Sequence, residues 1–278
     1  MNDSKRNRFA RGYWGERAEH WDKNADMLAG VAERFNVPLM DACGIGPRHR
    51  VLDLASGAGE PALSVAKRVG PLGRVVATDL APEMLEGVKR RAHAAGLANM
   101  DFRVTDMETL PFGPAEFDRI TCRFGIMFTE DPIAAAKECR RVLRPGGKAA
   151  FMVWGPRADT TQFVVFAAAA KQVFGDTKDL DLDSPFRFGG AGSLSKVLNA
   201  GGFAAAEEKE LRFTPKMPAN APFWKPHVGM TFGPVLAKAS AETRKALDRA
   251  IEAEFQKFRH GDELHLNAHV RIGIGTVA

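Results

Sequence analysis

From Arg50 to Trp154 the chain repeats one pattern: a short apolar run, a turn, then a longer stretch whose apolar residues recur every three or four positions. The short runs predict strands near 50–55, 73–79, 100–105, 117–123 and 147–154. The periodic stretches predict helices near 60–69, 82–95 and 131–143. Strand–helix alternation with short connections builds a parallel sheet covered by helices on both faces. Before it, residues from about Asn7 to Asn36 predict two helices, the first carrying Phe9, Tyr13, Trp14, Ala18 and Trp21 among many charges. After it, Thr160 to Phe174 predicts an apolar helix, and Asp176 to Gly190 a loop with the acidic run Asp179, Asp181, Asp183. A helix follows near 193–200, ended by Gly201-Gly202. Ala204 to Phe213 reads as a strand, and Ala221 to Phe258 as helices bearing Phe223, Trp224, Met230 and Phe232.

Composition narrows the class. The chain has 278 residues, 45% hydrophobic and 26% charged, which suits one large domain or a domain with an appendage. Its net charge of +5 is scattered among acids, without a basic run or aromatic–basic interleaving, so nucleic acid is not the expected partner. Three cysteines at irregular spacing (Cys43, Cys122, Cys139) supply neither a disulfide framework nor a zinc site, and they fit a reducing cytoplasm. No ligand cluster points to a metal. No apolar run approaches the ~20 residues of a membrane span, and the polar start at Met1-Asn2-Asp3-Ser4-Lys5-Arg6 does not read as a signal peptide.

The chemistry concentrates at the ends of the first strands. Val51-Leu52-Asp53-Leu54-Ala55-Ser56-Gly57-Ala58-Gly59-Glu60 reads as a buried strand, a glycine turn and a helix start. Gly57 and Gly59 let the backbone turn and a ligand approach, and the following helix directs its unpaired amides into the same space. Asp79 ends the second strand about 20 residues after Gly59, where a carboxylate can accept both hydroxyls of a ribose. Asp106-Met107 follows the third strand and pairs an acceptor for an exocyclic amine with a cover for a flat ring. One such acid is more often a cap or turn residue. Three, at three successive strand ends beside a glycine turn, describe a nucleoside pocket.

Val51 to about Pro156 resembles a class I S-adenosylmethionine-dependent methyltransferase of the branch related to ubiquinone/menaquinone biosynthesis (methyltransferase type 11). The resemblance rests on Val-Leu-Asp-Leu-Ala-Ser-Gly-Ala-Gly, Ala-Thr-Asp79-Leu, Thr-Asp106-Met-Glu-Thr-Leu-Pro-Phe, Arg-Val-Leu-Arg-Pro-Gly-Gly and Val153-Trp154-Gly155, in family order and spacing. It covers a little over a third of the chain. One position departs: Ala55 stands where the family has its first glycine. The resemblance implies an α/β, doubly wound, mostly parallel seven-stranded sheet, with Ala204 to Phe213 as the sixth strand and His265 to Ile274 as the antiparallel last one. An N-terminal helical lid would span 1–48, a cofactor core 49–156, and the rest of the same domain 157–278, with a helical acceptor-side insert at about 214–262.

It also implies roles. Asp53, Ala55, Gly57 and Gly59 would hold the methionine end of S-adenosylmethionine, and Asp79 the ribose. Leu80 and Met84 would lie near the adenine, Asp106 and Met107 would flank it, and Cys122 and Arg123 would lie beside the amino-acid portion. Read from the residues themselves, the first helix either packs its aromatics on the core or closes as a lid with Tyr13 and Trp21 facing the cofactor, and Trp14, Phe128, Trp154, Trp224 and His227 either border the acceptor or simply pack. The expected activity is methyl transfer to a small-molecule O, N, C or S acceptor, with S-adenosylhomocysteine as product. His20, His227, His265 and His269 are candidate bases that no spacing separates. A dinucleotide oxidoreductase is the rival enzyme class, because Gly57-Ala-Gly59-Glu-Pro-Ala62 also fits Gly-x-Gly-x-x-Gly/Ala; against it stands Asp53, which would repel a pyrophosphate and attract an ammonium. A non-catalytic binding module and an RNA methyltransferase complete the alternatives.

Overall fold

The computed structural model describes residues 5–177 and 180–278, with side chains from residue 10 onward; Phe9's side chain, Asp179 and the first four residues lie outside what is described. Two helices lead in, α1 (Lys5–Lys23) and α2 (Ala25–Cys43). The second runs beyond the expected end at Asn36 and straight through Pro38. Burial explains the overrun, since Leu39, Met40 and Cys43 are buried in the turn after the proline, and Gly44 in a left-handed conformation finally stops the helix.

Then come β1 (Arg50–Leu54), α3 (Ala62–Val69), β2 (Arg74–Asp79), α4 (Pro82–Ala94), β3 (Met100–Val104), β4 (Phe117–Arg123), α5 (Pro132–Val142) and β5 (Leu143–Trp154). The apolar run of β1 is buried on both faces, as a central parallel strand requires. Asp131 caps α5 by accepting the amides of Ile133 and Ala134 at 2.9 Å. That helix ends at Val142, so β5 starts ahead of Pro145-Gly146-Gly147 rather than after it. The later elements are α6 (Thr161–Phe174), α7 (Ser193–Ala200), β6 (Ala205–Phe213), β7 (Lys216–Pro218), α8 (Lys225–Lys238), α9 (Ala241–Gln256), β8 (Arg259–His260), β9 (Glu263–His265) and β10 (Ala268–Thr276).

Seven strands form one sheet in the order β3-β2-β1-β4-β5-β10-β6, with β1 parallel to both β2 and β4. The sheet is the expected mostly parallel one with an antiparallel last strand. The order reverses between β1 and β4, so the carboxyl ends of these two strands flank the place where such folds take ligands. His265 does not belong to the last strand. It pairs in a separate three-stranded sheet, β7-β9-β8, because Leu266 and Asn267 turn their amides to the Pro215 carbonyl and the Thr161 hydroxyl.

The chain divides into two compact units. The first holds residues 1–153, 191–209 and 272–278; the second holds 154–190 and 210–271. The second has its own core, in which Phe166, Phe232 and Phe255 are almost wholly buried with Val165, Leu247 and Ile251. Among the described residues, no helix is long and apolar enough to cross a membrane.

Candidate functional site

The site is built on the turn after β1. Gly57 (φ 50°) and Gly59 (φ 110°) hold the left-handed backbone that glycine adopts without strain. Ala55 holds φ 51° too, at the position where the resembled family has glycine, so the turn makes the same backbone demand of a residue that meets it less comfortably. Asp53 is fully buried behind the turn. Its two oxygens accept the Ser56 and Thr121 hydroxyls, each at 2.6 Å. Burial pushes the Asp53 pKa up to about 7, against the pull of those hydroxyls and of the Arg123 charge.

Asp79, at the end of β2, joins the turn to the next loop. One carboxylate oxygen accepts the Gly57 amide at 2.9 Å and the other the Ala81 amide at 3.0 Å. Burial raises its pKa and those amides lower it, the first effect being larger. Each oxygen has a second lone pair, and the residue borders a cavity.

That cavity, about 180 Å³ to the centre of a water molecule, lies wholly within the first unit. Ala55, Gly57, Asp79, Leu80, Met84, Asp106 and Met107 line it. Trp14 and Trp21 enter from α1, and Arg123 and Phe128 from the end of β4 and the turn after it. Trp14 meets Phe128 edge-on at 4.9 Å. Both tryptophans pack on Ala18, Ala81 and Met84, which seats α1 against the start of α4. Asp22 of α1 then bonds Arg90 and Arg91 of α4, each at 2.6 Å, and Arg91 also donates to the Ala58 carbonyl of the glycine turn.

Other expected residues stay away from the cavity. Gly59 shapes the turn, and a Cβ there would sit 3.0 Å from Leu63. Cys122 is sealed in the core, its thiol pushed up to about 12 by burial. Tyr13 lies under the guanidinium of Arg17, 3.4 Å from the ring centre. The Asp53 side chain turns to the buried Ser56 and Thr121 hydroxyls behind the turn. Trp154, Trp224 and His227 belong to the second unit. Trp154 packs edge-on against Phe163, and Trp224 is buried in that unit's core, so packing accounts for both. Burial pulls the pKa of His227 down. His20 is exposed. His269 is buried with Nδ1 at hydrogen-bond distance, 2.8 Å, from Asp159 Oδ2 within the second unit.

Sequence reasoning passed over Glu60 and Phe124, both of which border the cavity. Phe124 holds φ 59°, costly for an aromatic residue, and stands edge-on to Phe35 at 5.6 Å. Glu60 was legible as an acid directly after Gly59. Its partner Ser64 lies four residues on, in α3, but Asn36 comes from α2, 24 residues away, and gave no local signal.

A methyltransferase-domain family matches residues 51–147. An uncharacterized protein of Mycobacterium tuberculosis is 41% identical over 128 residues, 45% of either chain, so the match spans under half of that relative. The ubiquinone/menaquinone biosynthesis C-methyltransferase UbiE of Cupriavidus taiwanensis is 33% identical over 167 residues, 57% of this chain and 68% of its own. The chain belongs to the UbiE-like class I S-adenosylmethionine-dependent methyltransferases. The crystal structure of YcgJ from Bacillus subtilis shares the fold, with a TM-score of 0.58 at 20% identity over 87% of this chain and 97% of its own.

The residues present fit the family's cofactor. Asp79 keeps free lone pairs on a fixed carboxylate, Gly57 leaves open backbone beside it, and apolar Leu80, Met84 and Met107 border the same cavity. Among the described residues, the buried Arg123 Nε has no hydrogen-bond partner.

Proposed function

We propose that this chain transfers the methyl group of S-adenosylmethionine to a carbon of a small hydroxylated aromatic or quinol acceptor. The observation that carries the reading is the Asp79 carboxylate, pinned by two backbone amides beside the glycine turn and open to the cavity. The choice of acceptor is supported by the flat, apolar walls given by Trp14, Trp21, Phe124 and Phe128, and by the kinship with a quinone-pathway C-methyltransferase.

The bound cofactor supplies an activated methyl group on a sulfonium centre. The chain's own work is alignment and exclusion of water. Asp79 would hold the ribose hydroxyls, Asp106 and Met107 the adenine, and Arg123 the carboxylate of the methionine portion. The buried negative charge of Asp53 would favour the neighbouring ammonium, and the same charge disfavours a pyrophosphate, which counts against a nicotinamide dinucleotide. Helix α1, latched by Asp22 and seated by two tryptophans, would act as the lid, and its opening would release product.

Calorimetric titration with S-adenosylmethionine, S-adenosylhomocysteine and NAD tests this reading. Micromolar binding of the first two and none of the third is expected, followed by transfer of radiolabelled methyl to 1,4-dihydroxynaphthalene. Binding of NAD alone would overturn it.

A further inference from the structure

Methyl transfer to a C–H or O–H acceptor produces one proton for each methyl group moved. A cavity walled by aromatic side chains and covered by a helix has to let that proton out. A polar track leads from the cavity toward the surface. It starts at Glu60, which borders the cavity, and runs through α3 to the outer surface of α2.

Glu60 Oε2 lies 2.7 Å from the Ser64 hydroxyl, and the same hydroxyl lies 2.8 Å from Glu33 Oε1. Ser64 is buried and Glu33 is exposed. A serine hydroxyl has one proton to donate, and here two carboxylates stand at donating distance from it. Such a hydroxyl can take a proton from one carboxylate while giving its own to the other. Asn36, fully buried, sets the geometry: its amide donates to Glu60 Oε2 at 2.6 Å and to Ser64 Oγ at 3.1 Å, and its carbonyl accepts Arg123 Nη1 at 2.9 Å. Burial pulls the pKa of Arg123 down, and the charges of Glu60, Asp53 and Glu33 push it back up, so this cation belongs to the same electrostatic cluster. The charged groups facing the track are therefore Glu33 from α2, Arg123 from β4 and Asp53 from β1.

We infer that Glu60, Ser64 and Glu33 form a proton exit, with Glu60 receiving the proton released by the acceptor and Glu33 delivering it to solvent. The inference rests on the methyl-transfer reading above. In the step, the acceptor's hydroxyl proton passes to Glu60 when the acceptor binds, and the ring carbon of the resulting oxyanion then forms its bond to the methyl group. The methyl–sulfur bond breaks with its electron pair left on sulfur. The ring proton displaced by the methyl group restores the hydroxyl, so one proton is lost overall. Glu60 hands that proton to Ser64 Oγ while the Ser64 hydroxyl proton moves to Glu33, which releases it.

The test uses the full-length protein and the variants Glu60→Gln, Ser64→Ala and Glu33→Gln, with 1,4-dihydroxynaphthalene as probe acceptor. Turnover of Glu60→Gln should fall about a hundredfold or more, the usual range for losing a positioned proton acceptor, with its affinity for S-adenosylmethionine unchanged. Turnover of Glu33→Gln should recover as imidazole buffer is raised, whereas the parent protein should not respond. A second readout needs no turnover. Probe binding to protein saturated with S-adenosylhomocysteine, measured by calorimetry in two buffers of different ionisation enthalpy, counts the protons released. The parent protein should release protons to buffer, and Glu60→Gln and Ser64→Ala should release none. Equal proton counts in the parent and Glu60→Gln would overturn the exit, and so would a loss of cofactor affinity matching the loss of turnover. If the parent protein binds the probe without methylating it, the acceptor reading fails, and the proton count still decides the exit.

Discussion

Replacing Asp53 by Asn tests whether the buried acid is held at a cost to folding. Its carboxylate has no contact with solvent and only two hydroxyls for partners, and burial raises its pKa from 3.8 to about 7. A carboxyl whose folded pKa is raised binds its proton more tightly when folded than when unfolded. Between the two values the native state therefore carries the extra proton, and stability falls as pH rises. The gap of about 3 pKa units corresponds to about 4 kcal/mol. That penalty is absent below the unfolded value near 4 and complete above 7. Asparagine keeps the size and one acceptor oxygen without the charge. Urea unfolding of ligand-free protein should show Asp53→Asn gaining about 4 kcal/mol on the parent protein between about pH 4 and pH 8. The same variant should bind S-adenosylmethionine more weakly, because the ammonium loses its buried counter-charge. A stability difference that stays constant across this pH range would refute the reasoning, as would unchanged affinity.

Three other substitutions probe the same unit. Asp79→Asn should weaken S-adenosylmethionine binding about a hundredfold, roughly the loss of one or two charge-assisted hydrogen bonds; calorimetry of a variant that retains the parent's circular dichroism spectrum decides it. Gly125→Ala should destabilise by about 1–3 kcal/mol through overpacking, since its Cβ would come 2.5 Å from that of Ala55 and 2.9 Å from the Cys122 sulfur; thermal melting reads the loss. Asp22→Asn should speed dissociation of S-adenosylhomocysteine a few-fold, in keeping with about 0.2–1 kcal/mol for each partly exposed ion pair. Burial acts to raise the Asp22 pKa, but Arg91 and Arg90 outweigh it and leave it below the usual carboxylate value. The latch is therefore complete above the ordinary carboxylate range and is lost as pH falls through the lowered value, so parent and variant dissociation rates should converge in acid.

The legible parts of this chain were those whose physics is local. The runs around Val51, Val75 and Ile120 needed only their own residues to read as buried strands, and the glycine turn announced itself through two residues that tolerate positive φ. Asp79, Asp106 and Met107 border one cavity because strand ends in a parallel sheet converge on one edge, and Met84 of α4, named through the resemblance, borders it too. Where the outcome depends on distant neighbours, the pattern misled. The expected helix ends at Asn36, yet the burial of Leu39 and Cys43 carries α2 past Pro38. Trp224 reads as well as a pocket wall as it does a core residue, and only the packing of Phe166, Phe232 and Leu247 around it decides for the core.

Asp53 and Glu60 show why a site residue's identity is easier to read than its role. Both are acids at the edge of one glycine turn, seven residues apart, and sequence reasoning gave the ligand to the first and passed over the second. The strand turns the Asp53 side chain inward to Ser56 and Thr121, so it can act on a ligand only through its field. The turn has reversed by Glu60, which borders the cavity and meets Asn36 and Ser64 on its other side. One acid therefore tunes the charge beneath the pocket while the other is placed to exchange a proton with what the pocket holds. Their substitutions should separate accordingly: Asp53→Asn should act on stability and cofactor affinity, and Glu60→Gln on turnover and proton release.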